Sequence, residues 1–119
     1  MVNIETFENP HSYRDYVIVH ENPEFTSLCP KTGLPDFGII TVKYIPDLLC
    51  IELKALKYYF LEYRNKGIFY EDLTNQILND LVEVSRPRFM EITSEWTTRG
   101  GMNSKIVAKY EKGKDDQIR

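Results

Sequence analysis

The sequence contains few of the residues that build metal centres and disulfide frameworks. Among its 119 residues are two cysteines, Cys29 and Cys50, and two histidines, His11 and His20. These four residues do not follow the spacing of a zinc site. The first residues do not resemble a secretory leader, so the thiols are expected to stay free and the protein to be cytoplasmic. No apolar run has the length of a transmembrane helix, and no membrane partner is expected.

Basic residues are not in excess either. Lys and Arg number 15 against 18 Asp and Glu, a net charge of -3. This balance argues against a nucleic-acid coat, and no direct nucleic-acid contact is expected. The length predicts one domain over residues 1–119. The sequence shows no internal repeat and no low-complexity segment. So small a domain buries only about two-thirds of its unfolded surface, so self-association is expected to support it.

Hydrophobic periodicity predicts six elements in the order ββααββ. They are strands 16–20 and 37–45, helices 53–65 and 70–85, and strands 89–96 and 106–110. Asn22-Pro23 is expected to end the first strand. Residues 1–13 are expected to form a polar arm, and residues 112–119 a loose tail.

This order is typical of an α+β layer, in which an antiparallel four-stranded sheet carries two helices on one face. Because apolar and polar residues alternate along the strands, the other face must meet water or another subunit. The first helix is expected to bury a stripe with three-and-four spacing, namely Leu53, Leu56, Phe60 and Tyr63.

Residues 29–36 form the most informative stretch of the chain. Cys29 and Asp36 lie seven positions apart, separated by two prolines, a glycine and Lys31. Such a run predicts a shaped turn, and a thiol is a strong nucleophile when its pKa is lowered. Lys31 could lower that pKa by its charge, and Asp36 could take or give the proton. A buried structural cysteine beside an ordinary turn is the competing interpretation.

Three further motifs carry weaker signals. Lys54 and Lys57 share one helix face and could receive a phosphate, although a solvated lysine face is common. Glu71 follows Tyr70 at a predicted helix start, where an acid already suits the helix dipole. Arg99-Gly100-Gly101 predicts a turn, and its bare backbone N–H groups beside an arginine could also cradle an anion.

Taken together, these motifs resemble one family. Residues 25–37 are similar to the nucleophile segment of the NADPH-dependent 7-cyano-7-deazaguanine reductases, the nitrile reductases of queuosine biosynthesis. Residues 52–59 resemble the eight-residue motif of that family at every position. The resemblance covers about residues 24–110. It implies a tunnel fold, in which subunits join their sheets into a barrel, and a homo-oligomer, here a decamer of two pentamer rings, with active sites between subunits.

The resemblance also implies a role for particular residues. Cys29 attacks the nitrile of a small deazaguanine substrate and forms a thioimide, Asp36 donates the proton, and NADPH supplies the hydrides. The implied substrate-binding residues are Ile51, Glu52, Leu53, Tyr70 and Glu71. The implied residues at the cofactor phosphates are Lys54, Lys57, Arg99 and Gly100. No Gly-x-Gly-x-x-Gly fingerprint follows a strand, so the expected cofactor site is not of the Rossmann type.

One position departs from the family pattern, because Tyr70 stands where the family usually has histidine. A phenol with a pKa near 10 is a poor proton shuttle at neutral pH. A transferase of the same fold, which turns a tRNA-bound nitrile into an amidine, therefore stays open as an alternative, although it would not need the residue 52–59 motif or Arg99-Gly100-Gly101. A non-catalytic assembly module would leave Cys29 and Asp36 unexplained.

Overall fold

The computed structural model describes residues 2–114 and confirms the ββααββ order of the long elements. The elements are β1 (Thr6–Glu8), β2 (Ile18–Leu28), β3 (Pro35–Ile45), β4 (Leu49–Ile51), α1 (Leu53–Leu61), a 3-10 turn (Glu62–Asn65), α2 (Tyr70–Ser85), β5 (Phe89–Arg99) and β6 (Met102–Glu111). Neither α1 nor α2 is long and apolar enough to cross a membrane, and residues 2–114 contain no other α-helix.

The main sheet has four antiparallel strands in the order β2-β3-β5-β6. Its inner face is built by paired apolar residues, such as Val42 opposite Ile92 and Tyr44 opposite Met90, and all four are fully buried. The helices pack against this face, as the α+β prediction required. The outer face keeps large apolar side chains exposed, among them Val19, Phe37 and Val107.

Helix α1 begins with a side-chain cap. The Glu52 carboxylate accepts hydrogen bonds from the backbone N–H groups of Lys54 (3.0 Å) and Ala55 (2.8 Å), which satisfies two of the free donors at a helix start. The buried stripe is Leu56, Tyr59, Phe60 and Tyr63. The prediction that Leu53 belongs to this stripe was wrong, because Leu53 lies at its edge in the first turn and is 51% exposed.

A buried hydroxyl network joins α1, the 3-10 turn and α2. The Tyr59 hydroxyl donates to the Asp80 carboxylate at 2.5 Å and lies 2.9 Å from the Tyr63 hydroxyl. Burial raises the pKa of Tyr63 to about 12 and raises that of Tyr59 as well. Both phenols therefore remain neutral donors at physiological pH, and the network fixes the two helices against each other.

The N-terminal segment is not a free arm. Strand β1 pairs with β4, with Thr6 opposite Ile51, and the Glu52 N–H donates to the Glu5 carbonyl at 3.0 Å. This pair could not be predicted from the sequence, because three-residue strands are too short to develop an alternating pattern. Of the predicted tail 112–119, residues 112–114 form a turn, and residues 115–119 lie outside the described part of the chain.

Arg88 ties this N-terminal segment to the rest of the protein. Its guanidinium donates to the Asp47 carboxylate (3.1 Å), the Asp15 carboxylate (2.8 Å) and the Ser12 carbonyl (2.5 Å). Lys112 pairs with the same Asp47 at 2.5 Å. One cation thus holds the segment before β2, the loop before β4 and the start of β5 in one place.

The prediction that Asn22-Pro23 ends the first strand was also wrong. Strand β2 continues to Leu28 through a register shift between Asn22 and Phe25. A proline lacks the N–H that an inner strand needs, but β2 is an edge strand, where a bulge accommodates it. The strand is therefore long enough to reach the predicted turn without interruption.

Gly38 allows a close contact between β3 and β5. A Cβ atom at this position would lie 2.7 Å from the Glu95 carbonyl oxygen and 2.8 Å from the Trp96 ring. Trp96 lies opposite Gly38 in the sheet and is 5% exposed. The missing side chain therefore provides the space that the indole occupies.

We expect Gly38→Ala to destabilise the protein by about 1–3 kcal/mol, because the backbone carbonyl cannot move away from the added methyl group. Gly67→Ala is the matched control, since its Cβ would meet only Pro30 at an ordinary 3.6 Å. That control should change the free energy of unfolding by less than about 1 kcal/mol. Urea unfolding followed by circular dichroism measures both, and equal effects would contradict the proposed contact.

Candidate active site

The hairpin between β2 and β3 places Cys29 and Asp36 at one end of the sheet. The Cys29 N–H donates to the Leu34 carbonyl (2.8 Å), and the Gly33 N–H donates to the Cys29 carbonyl (2.8 Å). Gly33 has a φ of 73°, which favours glycine. Asp36 pairs with Ser27 across the two strands. Ser27, Cys29 and Asp36 therefore lie close to one another although the turn separates them in sequence.

A second chain segment is fastened beside the hairpin. The Leu28 N–H donates to the Lys66 carbonyl (3.0 Å), and the Ile68 N–H donates to the Leu28 carbonyl (3.1 Å). Leu28 and Gly67 form an isolated parallel bridge. This short pairing carries the start of α2, with Tyr70 and Glu71, to the side of Cys29.

The Cys29 thiol has a lowered pKa. The largest cause is a hydrogen bond from the Thr32 hydroxyl, followed by the backbone N–H groups of Thr32 and Lys31, while burial and the charge of Asp36 act in the opposite direction. The Thr32 oxygen itself accepts the Leu34 N–H at 3.2 Å, which leaves its hydrogen for the sulfur. The prediction that the charge of Lys31 lowers this pKa was wrong, because Lys31 contributes through its backbone N–H.

Asp36 is a buried carboxylate in an ion pair. It is 5% exposed and pairs with Arg99, which also donates to the Pro35 carbonyl at 3.4 Å. The Tyr70 phenol lines the same cavity. Burial is the largest cause that raises the pKa of Tyr70, followed by the charge of Asp36 and a hydrogen bond to it, so the phenol stays protonated.

These groups meet in a cavity of about 350 Å³. Its lining residues are Cys29, Pro30, Asp36, Ile68, Phe69, Tyr70, Glu71 and Arg99. The cavity thus combines a thiol of lowered pKa, two carboxylates, a phenol, a guanidinium and exposed aromatic surface. A thiol and a carboxylate side by side can carry out nucleophilic addition with proton transfer.

The remaining predicted site residues lie outside this cavity. Ile51, Glu52, Leu53, Lys54 and Lys57 are at the end of β4 and the start of α1, and Leu53 and Lys57 line a separate groove of about 360 Å³. The Glu52 side chain caps α1, and the two backbone hydrogen bonds lower its pKa. Gly100 is exposed in the β5–β6 turn with a φ of 59°. Within one chain, the predicted site residues therefore lie in two separate groups.

Three residues at the candidate site were not predicted from the sequence, namely Phe69, Thr32 and Trp96. Phe69 is 54% exposed and lines the cavity, Thr32 lowers the pKa of the Cys29 thiol, and Trp96 lies flat against Tyr70. The position of Thr32 two residues before Leu34 was an available signal, since such hydroxyls often form local turns. Nothing in the sequence brings Trp96 to Tyr70, because that contact depends on packing between α2 and β5.

The fold is that of the tunnel-fold proteins. It resembles the solved structure of the archaeosine synthase QueF-Like in the apo form, with a TM-score of 0.73, 22% sequence identity, and coverage of 78% of this chain and 91% of that one. At this identity the likeness concerns the fold alone.

The chain belongs to the QueF-like protein family, whose model matches residues 35–115. It is 62% identical to the NADPH-dependent 7-cyano-7-deazaguanine reductase of Chloroherpeton thalassium, over 91% of this chain and 93% of that protein. It is 61% identical to the enzyme of the same name from Chlorobaculum tepidum, over 94% and 96% of the two chains.

The hydrogen bonds at Cys29 predict two opposite effects on its reactivity. Thr32→Val removes the hydroxyl donor, so the pKa of Cys29 should rise and the alkylation profile should move to higher pH. Asp36→Asn removes a negative charge, so the profile should move to lower pH. The measurement is the rate of iodoacetamide labelling of Cys29 between pH 5 and pH 10, read by peptide mass.

Thr32→Ser keeps the hydroxyl and serves as the control for the first substitution, and it should leave the profile in place. Cys50 is buried and should label slowly in every variant. Coincident profiles for wild type and Thr32→Val would contradict the role of the hydroxyl.

Proposed function

We propose that this protein reduces the nitrile of 7-cyano-7-deazaguanine to the aminomethyl group with NADPH, a step in queuosine biosynthesis. The observation that carries the proposal is the pairing, in one cavity, of a thiol of lowered pKa with a buried carboxylate. Identity of about 60% to enzymes of that name, along nearly the whole of both chains, supports the same conclusion.

Cys29 and Asp36 carry the first chemical step. The Cys29 sulfur bonds to the nitrile carbon, and its proton passes to the nitrile nitrogen through Asp36, which gives a neutral thioimide. The ionised form of Asp36 in its ion pair with Arg99 accepts the thiol proton, and its protonated form then delivers it. Covalent capture divides a difficult reduction into easier steps.

Glu71 and Phe69 suit a flat, guanine-like substrate. The Glu71 carboxylate at the start of α2 can accept two parallel N–H groups from one edge of the base. The exposed ring of Phe69 offers a stacking surface on the same cavity wall. Tyr70, as a protonated phenol, serves as wall and hydrogen-bond donor, and Asp36 and Glu71 are the carboxyl groups that can exchange protons with the substrate.

NADPH, when bound, supplies the hydride, and two equivalents convert a nitrile to a primary amine. Lys54 and Lys57 are exposed and form no ion pair within residues 2–114, so they are open to phosphate groups. Gly100 and Gly101 are exposed, and nothing lies within 4 Å of a Cβ built on either of them, so the turn beside Arg99 has room for a ligand. These donors fit a polyanion.

We propose that two subunits together contribute the whole donor set. Cys29, Asp36, Glu71 and Arg99 line the cavity, whereas the α1 lysines lie elsewhere on the same chain. The exposed apolar outer face of the sheet supports association into a barrel, and a decamer of two pentamer rings is the assembly we propose. We place the reaction in the cytoplasm, where thiols stay reduced.

We expect wild-type protein mixed with the nitrile alone to gain the mass of one substrate, because Cys29 forms a stable thioimide in the absence of a reductant. NADPH should then be oxidised in the ratio of two per nitrile, followed at 340 nm. Cys29→Ala should form no adduct and oxidise no NADPH, and Asp36→Asn should lose activity by at least about a hundredfold.

Cys50→Ala is the matched control, because Cys50 is buried away from the cavity, and it should keep full activity. An adduct on Cys50 would contradict the assignment of the nucleophile. Adduct formation without NADPH oxidation would instead favour the transferase, and an amidine product from nitrile-bearing tRNA and an amine donor would establish it.

The shared site predicts complementation between inactive variants. Cys29→Ala and the double variant Lys54→Ala/Lys57→Ala, unfolded and refolded together, should recover about a quarter of the wild-type activity by random mixing of subunits. Cys29→Ala mixed with Asp36→Asn should stay inactive, because both changes affect the same cavity. Light scattering should give a mass several times 14.0 kDa, and an active monomer would exclude the shared site.

A further inference from the structure

Trp96 lies flat against Tyr70 at the wall of the cavity. The ring centroids are 4.0 Å apart and the planes differ by 8°. Trp96 is 5% exposed and has no place among the cavity-lining residues, so it does not reach a bound substrate directly. Gly38, on the neighbouring strand, leaves the space in which the indole lies.

A chain of buried hydrogen bonds joins the same two residues by a second route. The Trp96 indole N–H donates to the Ser94 hydroxyl (3.0 Å), which lies 2.7 Å from the Thr74 hydroxyl. The Thr74 hydroxyl donates to the Tyr70 carbonyl at 2.7 Å. Since Thr74 has one hydrogen and uses it for this carbonyl, Ser94 donates to Thr74 and accepts from Trp96.

This direction satisfies every group in the chain. Thr74 and Ser94 are both 0% exposed, so loss of any member would leave a buried donor or acceptor without a partner. Trp96 therefore holds Tyr70 at two points. The indole stacks on the Tyr70 ring, and the Ser94 and Thr74 hydroxyls link the indole N–H to the Tyr70 backbone carbonyl. A tyrosine fixed at both points has little freedom to move its hydroxyl away from Asp36.

We propose that Trp96 is a positioning residue of the active site, which holds the Tyr70 phenol in the cavity wall beside the Asp36 carboxylate. Trp96 acts through Tyr70 and not by contact with the substrate. The Asp36 carboxylate, in its ion pair with Arg99, thereby has a fixed phenol beside it in the cavity that Cys29 also lines. The kinetic part of this proposal rests on the proposed function, and the spectroscopic part does not.

The first test uses the fact that Trp96 is the only tryptophan in the sequence. Tyr70→Ala should uncover the indole, shift its emission to longer wavelength and increase quenching by acrylamide. Tyr70→Phe keeps the ring and should leave emission and quenching unchanged. If Tyr70→Ala also leaves them unchanged, the ring does not cover the indole in solution and the proposal is wrong.

The second test is a double-mutant cycle on two readouts, kcat for NADPH oxidation and the rate of Cys29 alkylation at pH 7. Tyr70→Phe and Trp96→Leu should each lower kcat by roughly threefold to tenfold, with KM for NADPH unchanged. Each should also slow alkylation, because an Asp36 that has lost a donor bears a fuller negative charge near the thiol. The double variant should be no slower than either single variant, whereas multiplying effects would overturn the proposal.

Ser94→Ala should reproduce part of the Trp96→Leu effect, since it breaks the hydrogen-bond chain but keeps the stack. Ile92→Ala, a buried residue on the same strand and face, is the control for lost stability. It should lower Tm without changing kcat or the rate of alkylation. If Ile92→Ala lowers both as much as Trp96→Leu does, the effect of Trp96 is on stability alone and the proposal is wrong. If wild type oxidises no NADPH, the proposed function fails, and emission and alkylation still decide the role of Trp96.

Discussion

The antiparallel pairing of β2 with β3 is the constraint on which the site depends. It sets Ser27 opposite Asp36 and leaves Cys29 just beyond the last paired residues. A slip of one residue would turn Asp36 to the outer face of the sheet, away from Arg99 and Tyr70. The Cys29–Leu34 hydrogen bond and the left-handed Gly33 fix this register at the turn, and the pairing of β3 with β5 extends it to Trp96.

The helices contribute to the site by their ends, and polar contacts in the interior fix how those ends lie. Helix α2 presents Tyr70 and Glu71 at its N-terminus, where Leu28 pairs with residues 66–68. Helix α1 presents its lysines from a start capped by Glu52 and supported by the β1–β4 pair. The partly buried Tyr59–Asp80 contact connects the two helices. A change in this contact would therefore move both groups of predicted site residues.

The sequence predicted the structure where turn residues or the period of apolar residues form a local pattern. The alternation of Ile40, Val42 and Tyr44 predicted β3 and its buried face, and the turn residues predicted the loop that carries Cys29. It was misleading at Pro23, where the outcome depends on β2 being an edge strand, and silent on β1, which pairs with a strand more than 40 positions away. The Lys31 charge was a plausible cause of a lowered thiol pKa, but only the folded turn reveals that N–H groups and the Thr32 hydroxyl have that effect. The division of the predicted residues into two groups is a property of three-dimensional packing that spacing along the chain cannot express.

The bulge in β2 has a consequence for how copies of this chain can meet. An edge strand normally offers a continuous row of N–H and C=O groups, to which a foreign strand can bond in several registers. Here the row is interrupted between Asn22 and Phe25, and Pro23 offers no N–H at all. The edge is thereby cut into two short segments of unequal length. A second strand cannot bond without interruption along such an edge, so the bulge limits the ways in which the sheet can grow there.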